Sequence, residues 1–161
     1  MRAATFGLLP LLLGLGGCGS GAPAVAGAAA ERMALPNAGE GAIIDQAQVL
    51  SSTERTRLAA RAGAISRGGR PVTVVVLRQQ AGTSLEQIGW AVNRPGSSGR
   101  QLLMLVDPEQ QSVRVEGAGV TPAQAAAVAG AMQPALGQRQ LMTAIEAGLA
   151  ATAGLAGTPR A

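Results

Sequence analysis

The chain has no histidine, no tyrosine and no lysine, and it has one cysteine, one tryptophan and one phenylalanine in 161 residues. Each absence closes a chemical route. Without histidine there is no imidazole base and none of the commonest zinc ligand, so a Ser-His-Asp triad and a histidine-based metallohydrolase are excluded. With Cys18 as the sole thiol, no disulfide closes within the chain and no thiolate cluster can hold a soft metal. A folded domain must then hold by packing alone. The scarcity of aromatic rings removes the stacking platform that single-stranded nucleic acid needs, and the arginines are scattered rather than gathered into a stripe. No nucleic-acid partner is expected, although a formal net charge of +4 gives weak attraction to anionic headgroups.

Long hydrophobic runs are missing too. The apolar run from Phe6 to Leu15 is interrupted by Gly7, Pro10 and Gly14 and falls short of the roughly 20 residues that a spanning helix requires. It follows Arg2 and ends in Leu15-Gly16-Gly17-Cys18. A charged start, a short apolar centre and small residues before a cleavage point make a secretory leader. The last four residues resemble the lipobox of bacterial lipoproteins. That resemblance implies removal of residues 1–17, thioether diacylation of Cys18 and acylation of the new amino terminus. Several acyl chains anchor durably where one does not. The implied partner is the lipid bilayer, with the protein facing the periplasm from the outer or the inner membrane. Gly19, rather than an aspartate, follows the cysteine; by resemblance to enterobacterial lipoproteins this is the outer-membrane pattern.

Residues 18–41 are rich in Ala, Gly, Ser, Pro and Asn, a composition with little large apolar surface to bury, and read as a flexible spacer. Residues 42–155 make one domain with one core, and residues 156–161 a short tail.

Within the domain, Ala42-Ile43-Ile44-Asp45 is a short entering strand. Ser51 and Glu54 have the spacing of a capping box, and Leu58, Ala62 and Ile65 line one face of the helix that follows until Gly68-Gly69 stops it. The β-branched run Val72 to Leu77 predicts a strand buried on both faces. Thr83 and Glu86 repeat the capping signature, with Leu85, Ile88 and Val92 on one face and Trp90 off it. Asn93 to Gly99 is turn-rich. Gln101 to Asp107 is a second buried strand, Asp107-Pro108-Glu109-Gln110 a tight reversal, and Ser112 to Glu116 an alternating edge strand, which together predict a hairpin. Thr121, Pro122 and Gln124 start a helix running to about Met132 and ending before Pro134. A last helix is expected over about Arg139 to Ala153, stacking Leu141, Ile145 and Leu149. The order β-α-β-α-β-β-α-α predicts an α/β fold, a three-layer α/β/α sandwich with a small mixed sheet that includes a β-hairpin.

Ile44-Asp45-Gln46-Ala47 with Val49-Leu50-Ser51, Val72 to Leu77, Gly82-Thr83-Ser84-Leu85-Glu86, Leu102 to Asp107, Val113 to Gly119 and Pro134 form an ordered set that resembles the TPM domain family over about residues 42 to 153. The family occurs in exported or membrane-associated bacterial proteins and in photosystem-repair factors. The resemblance implies an α/β/α sandwich and, from some relatives, a phosphatase or divalent-cation site of carboxylates near strand ends. Asp45 matches the family's aspartate after the first strand. The family's Asp-Asn-Gly falls on Gly99-Arg100-Gln101, and its Leu-Thr-Asp on Val120-Thr121-Pro122, so two acidic positions are lost.

Candidate metal ligands are therefore Asp45 and Asp107, for calcium or magnesium, the only cofactors the resemblance implies. A hard cation wants several converging oxygens, and both aspartates have a simpler reading: Asp45 caps the approach to Ser51, and Asp107 serves the turn before Pro108. Arg100 stands where an anion would meet the strand mouth. Gly117 and Gly119 allow either a close backbone approach to a ligand or merely a sharp turn. Two classes of function follow. One is a non-catalytic, lipid-anchored envelope protein that binds or scaffolds another envelope protein; the other is a divalent-cation-dependent phosphatase or cation-binding domain with a reduced carboxylate site. The lost carboxylates favour the first.

Overall fold

The computed structural model describes residues 41–79, 83–92 and 101–155. The predicted order of elements is the observed one: β1 (Ala42–Asp45), α1 (Ser52–Arg67), β2 (Val72–Val76), α2 (Leu85–Val92), β3 (Leu102–Asp107), β4 (Ser112–Gly117), α3 (Pro122–Gly137) and α4 (Leu141–Leu155). The sheet runs β1-β2-β3-β4. Its first three strands are parallel, and β4 returns antiparallel along β3, pairing Asp107 with Ser112 and Leu102 with Gly117. Every residue of β2 and β3 is buried, which is why these strands read as unbroken apolar runs. β1 and β4, at the two edges, are mostly half-buried.

Alternation along the strands sends side chains to two separate cores. Val72, Val74, Val76, Leu102, Met104 and Val106 face α1, α3 and α4, meeting Leu58, Met132, Leu136, Ile145 and Leu149. Val75, Leu77, Leu103 and Leu105 face α2, meeting Leu85 and Ile88. The connections β1–α1–β2 and β2–α2–β3 step across the sheet in the same direction, yet their helices lie on opposite faces. Two right-handed crossovers would put both helices on one face. One of the two is therefore left-handed, against the strong general preference. At the carboxyl ends of the parallel strands the chain thus leaves β1 toward one face and β2 toward the other, the arrangement that opens a crevice in α/β sheets.

The helix ends follow the sequence signals in part. Ser51 with Glu54 and Thr121 with Gln124 form reciprocal capping boxes, with Pro122 in the first turn of α3. At α2 the cap is Ser84 rather than Thr83: the Ser84 amide donates to the Gln87 side chain at 2.9 Å, and the Gln87 amide to the Ser84 hydroxyl at 3.2 Å. Both pairs have the right spacing. α3 does not end before Pro134 but runs through it to Gly137. Pro134 and Gly130 are both exposed, so the carbonyl left without an amide donor faces water. Continuing the helix buries Ala135 and Leu136, worth about 2–3 kcal/mol for a leucine, which offsets much of the roughly 3 kcal/mol cost of an interior proline. The last helix starts at Leu141 rather than Arg139 because Arg139 is left-handed, with φ 58°. Its amide donates to the Leu136 carbonyl at 2.9 Å, and that of Gln140 to Ala135 at 2.8 Å, the two bonds of a Schellman close.

Candidate functional site

The carboxyl edge of the parallel strands gathers the two candidate aspartates. β1 ends in Asp45, whose carboxylate accepts the Leu50 amide at 2.9 Å and the Val49 amide at 3.3 Å. β3 ends in Asp107, fully buried, whose oxygens accept the amides of Gln79 at 2.8 Å, Glu109 at 2.8 Å and Gln110 at 3.0 Å. The first carboxylate closes the turn into α1. The second ties the β2–α2 connection to the hairpin turn. The aspartates end strands separated by β2, so their backbones lie about 10 Å apart. Among the described residues no three acidic groups converge into a metal-holding set. To ligate a hard cation, either aspartate must share its oxygens with these amides, and two carboxylates fall well short of the six to eight oxygens that calcium takes. The two aspartates by themselves do not fit the ion.

The glycine candidates lie at the opposite edge. Gly117 pairs with Leu102 at the amino end of β3, and a Cβ there would stand 2.9 Å from the Gln101 carbonyl oxygen and 3.2 Å from the Leu102 Cα. Its close approach is to the chain's own backbone. Gly119, at φ 74°, turns the chain toward α3. Nearby, the buried Gln101 side chain donates to the Thr73 hydroxyl. Arg100 and Cys18 lie outside the described residues, as does the Asn93–Gly99 loop, and Trp90 is described only as part of α2. The structure therefore brings Asp45 and Asp107 to one edge of the sheet and places Gly117 and Gly119 at the other.

Three features went unmarked at the level of sequence. Gln48, Gln111 and Arg139 adopt left-handed backbone at φ 55°, 50° and 58°, and no spacing rule announces a left-handed residue with a long side chain. Arg139 also lines a depression of about 340 Å³ with Pro108, Glu109, Leu136 and Leu141, joining the α3–α4 turn to the hairpin turn. On the α2 face, Arg114 pairs with Glu116 on its own strand and with Glu86 of α2 at 3.5 Å. Gly89 leaves room for the Glu116 carboxylate, which lies 2.6 Å from where a Cβ would be. Alternation in β4 would have put Arg114 and Glu116 on one face, but nothing local pairs them with α2. Glu54 has its pKa lowered by hydrogen bonds from the Ser51 hydroxyl and amide; it serves the start of α1 rather than a site. No helix among the described residues is long and apolar enough to cross a membrane.

Solved structures share this fold. The N-terminal domain of the cg2496 protein of Corynebacterium glutamicum superposes with a TM-score of 0.65 at 18% identity, covering 80% of this chain and 90% of that one. The N-terminal domain of a protein from P. gingivalis superposes with a TM-score of 0.61 at 20% identity, covering 70% and 80%. At such identities the likeness speaks for architecture alone. No curated protein matches the chain. The TPM domain matches residues 43–155, from β1 to the end of α4, and the chain belongs to the TPM domain family.

Proposed function

We propose that this chain is a lipid-anchored protein of the bacterial envelope, held through acylated Cys18, whose TPM domain binds or scaffolds another envelope protein without catalysing a reaction. The observation that carries the reading is the engagement of Asp45 and Asp107. Five hydrogen bonds from backbone amides take up the two carboxylates, so the strand-end acids serve turn geometry. Phosphoryl transfer needs converging positive charge and an activated nucleophile. The described carboxyl edge instead offers Arg78 paired with Glu109, and Arg139. The lipobox-like Leu15-Gly16-Gly17-Cys18 supports the anchor. Crosslinking in intact cells, followed by identification of the captured protein, tests the binding role. Replacing Cys18 with Ala should move the protein from the membrane fraction to the soluble one, and retention in the membrane would refute the anchor.

A second reading, a divalent-cation-dependent phosphatase or cation-binding domain with a reduced site, is favoured by one observation. Asp45 ends β1 beside the point where successive helices turn to opposite faces, the place where open α/β sheets hold ligands. Calorimetric titration with calcium and with magnesium decides between the two. Saturable heat that disappears in Asp45→Ala would replace the first reading with the second.

A further inference from the structure

The left-handed residues divide by edge. At the amino edge, φ is positive at Gly69 and Gly119, where glycine adopts it without strain. At the carboxyl edge it is positive at Gln48, Gln111 and Arg139, where side chains are kept in a conformation that disfavours them. Arg139 is the most telling of these. It lines the depression between the α3–α4 turn and the hairpin turn, over a floor made by Pro108, Leu136 and Leu141. Across it, Glu109 is held by Arg78 at 2.9 Å, and Asp107 behind the turn is fully buried and accepts three amides. Of the charged side chains lining the depression, Arg139 alone has no ionic partner among the described residues.

From this arrangement we infer that the depression seats a carboxylate side chain and a neighbouring apolar side chain from an acidic segment of a partner protein, with Arg139 as the residue that selects for the negative charge. The inference rests on the binding role proposed above and gives that partner a chemistry. A volume of about 340 Å³ lies at the low end of small-molecule pockets, which run from about 300 to 1,000 Å³. A free ligand there would stay largely wet, whereas a side chain delivered by its own backbone needs only a shallow seat. The apolar floor takes the hydrocarbon part, and the guanidinium offers the forked geometry that matches a carboxylate. With Arg2 removed along with residues 1–17, the net charge remains positive and draws acidic partners toward the protein.

The test is an NMR titration of the ¹⁵N-labelled chain, purified as cells make it, with acetyl-Ala-Leu-Glu-Leu-Ala-amide and with its Gln counterpart. Saturable shifts at the amides of Glu109, Arg139 and Leu141 are expected with the Glu peptide, with affinity about tenfold weaker for the Gln peptide and for Arg139→Gly. That variant removes the guanidinium while easing the left-handed turn, so a Tm at or above the parent's shows that lost binding is not lost folding. Arg61→Gln, an exposed change of equal charge on α1, should bind within about twofold of the parent. Equal binding of the two peptides, an unaffected Arg139→Gly variant, or shifts confined to other surfaces would overturn the inference. Cellular crosslinking separates the two levels. Equal capture of the same partner by parent and Arg139→Gly sinks the Arg139 seat and leaves the binding role standing, whereas no capture by the parent sinks both.

Discussion

One face of the sheet meets three helices in a cluster of eighteen buried residues, whereas the other meets the eight-residue α2 in a cluster of six, counted among the described residues. The first face joins α1, α3 and α4 into a core that includes Met104, Met132 and Ile145 at zero exposure. The second has Leu85 and Ile88 of α2 on a short apolar stripe, supplemented by the ion pairs of Arg114 with Glu86 and Glu116. Partly exposed ion pairs contribute about 0–1 kcal/mol, so they do not make up for the smaller core. The difference teaches where the domain opens first. Elements with few buried contacts open locally at a fraction of the global free energy, and among the described side chains α2 contributes only Leu85 and Ile88 to its core.

The comparison is broken most forcefully by truncating one isoleucine on each face. Ile145→Ala should cost about 3–5 kcal/mol and lower the urea midpoint by every probe. Ile88→Ala should cost about 2 kcal/mol and accelerate amide exchange in α2 before it moves the rest. Equal losses with equal global exchange would show the two cores to be one cooperative unit.

Asp107 joins the faces at the carboxyl edge, because its three amide partners belong to the β2–α2 connection and the hairpin turn. Asp107→Ala leaves those amides without their acceptor in a buried place, and a loss of about 2–4 kcal/mol is expected. A denaturation midpoint equal to the parent's would mean that water or relaxed backbone replaces the carboxylate.

Two glycines sharpen the contrast between the two faces. A Cβ at Gly148 would stand 2.6 Å from the Met132 sulfur, and one at Gly89 equally close to the Glu116 carboxylate. The clash is the same, but Met132 is fully buried whereas the atoms met at Gly89 are the terminal carboxylate of Glu116, whose side chain is 13% exposed. Gly148→Ala should therefore destabilise by about 1–3 kcal/mol. Gly89→Ala, which also gains helix propensity, should stay within about 1 kcal/mol of the parent. Thermal unfolding of both variants reads the difference directly.

Smaller effects are expected at the turns. Arg139→Gly should raise stability by about 0.5–1 kcal/mol, since glycine takes the left-handed conformation without a Cβ clash. A lowered Tm would show that the arginine side chain itself braces the α3–α4 turn. Smallest is the pH effect at Glu54, whose pKa in the folded state lies below the ordinary glutamate value because the Ser51 hydroxyl and amide donate to it. A carboxyl lowered on folding adds stability above its unfolded pKa and loses it as pH falls through the folded value. The Tm gap between parent and Glu54→Gln should therefore narrow below about pH 4.5, and a gap independent of pH would remove the charge from the explanation.

Much of this architecture was legible because its signals are local. The unbroken apolar runs of Val72–Val76 and Leu102–Val106 marked the two central strands, and Ser51 with Glu54 and Thr121 with Gln124 marked two helix starts. The turn role of Asp107 could be read from the proline that follows it. The two misplaced boundaries around Pro134 share one cause. Pro134 reads as a stop by local rules, yet burial of Ala135 and Leu136 carries α3 beyond it and pushes the start of α4 to Leu141.

Sequence alone determined the order of elements and the mixed character of the sheet, since each rests on residue type and short-range spacing. Tertiary structure decided the rest: which face each helix takes, the left-handed crossover that follows, the distance between Asp45 and Asp107, and the meeting of Arg139 with the hairpin turn. These depend on how apolar faces distant in the chain find one another, and burial of that kind has no counterpart in neighbouring residues.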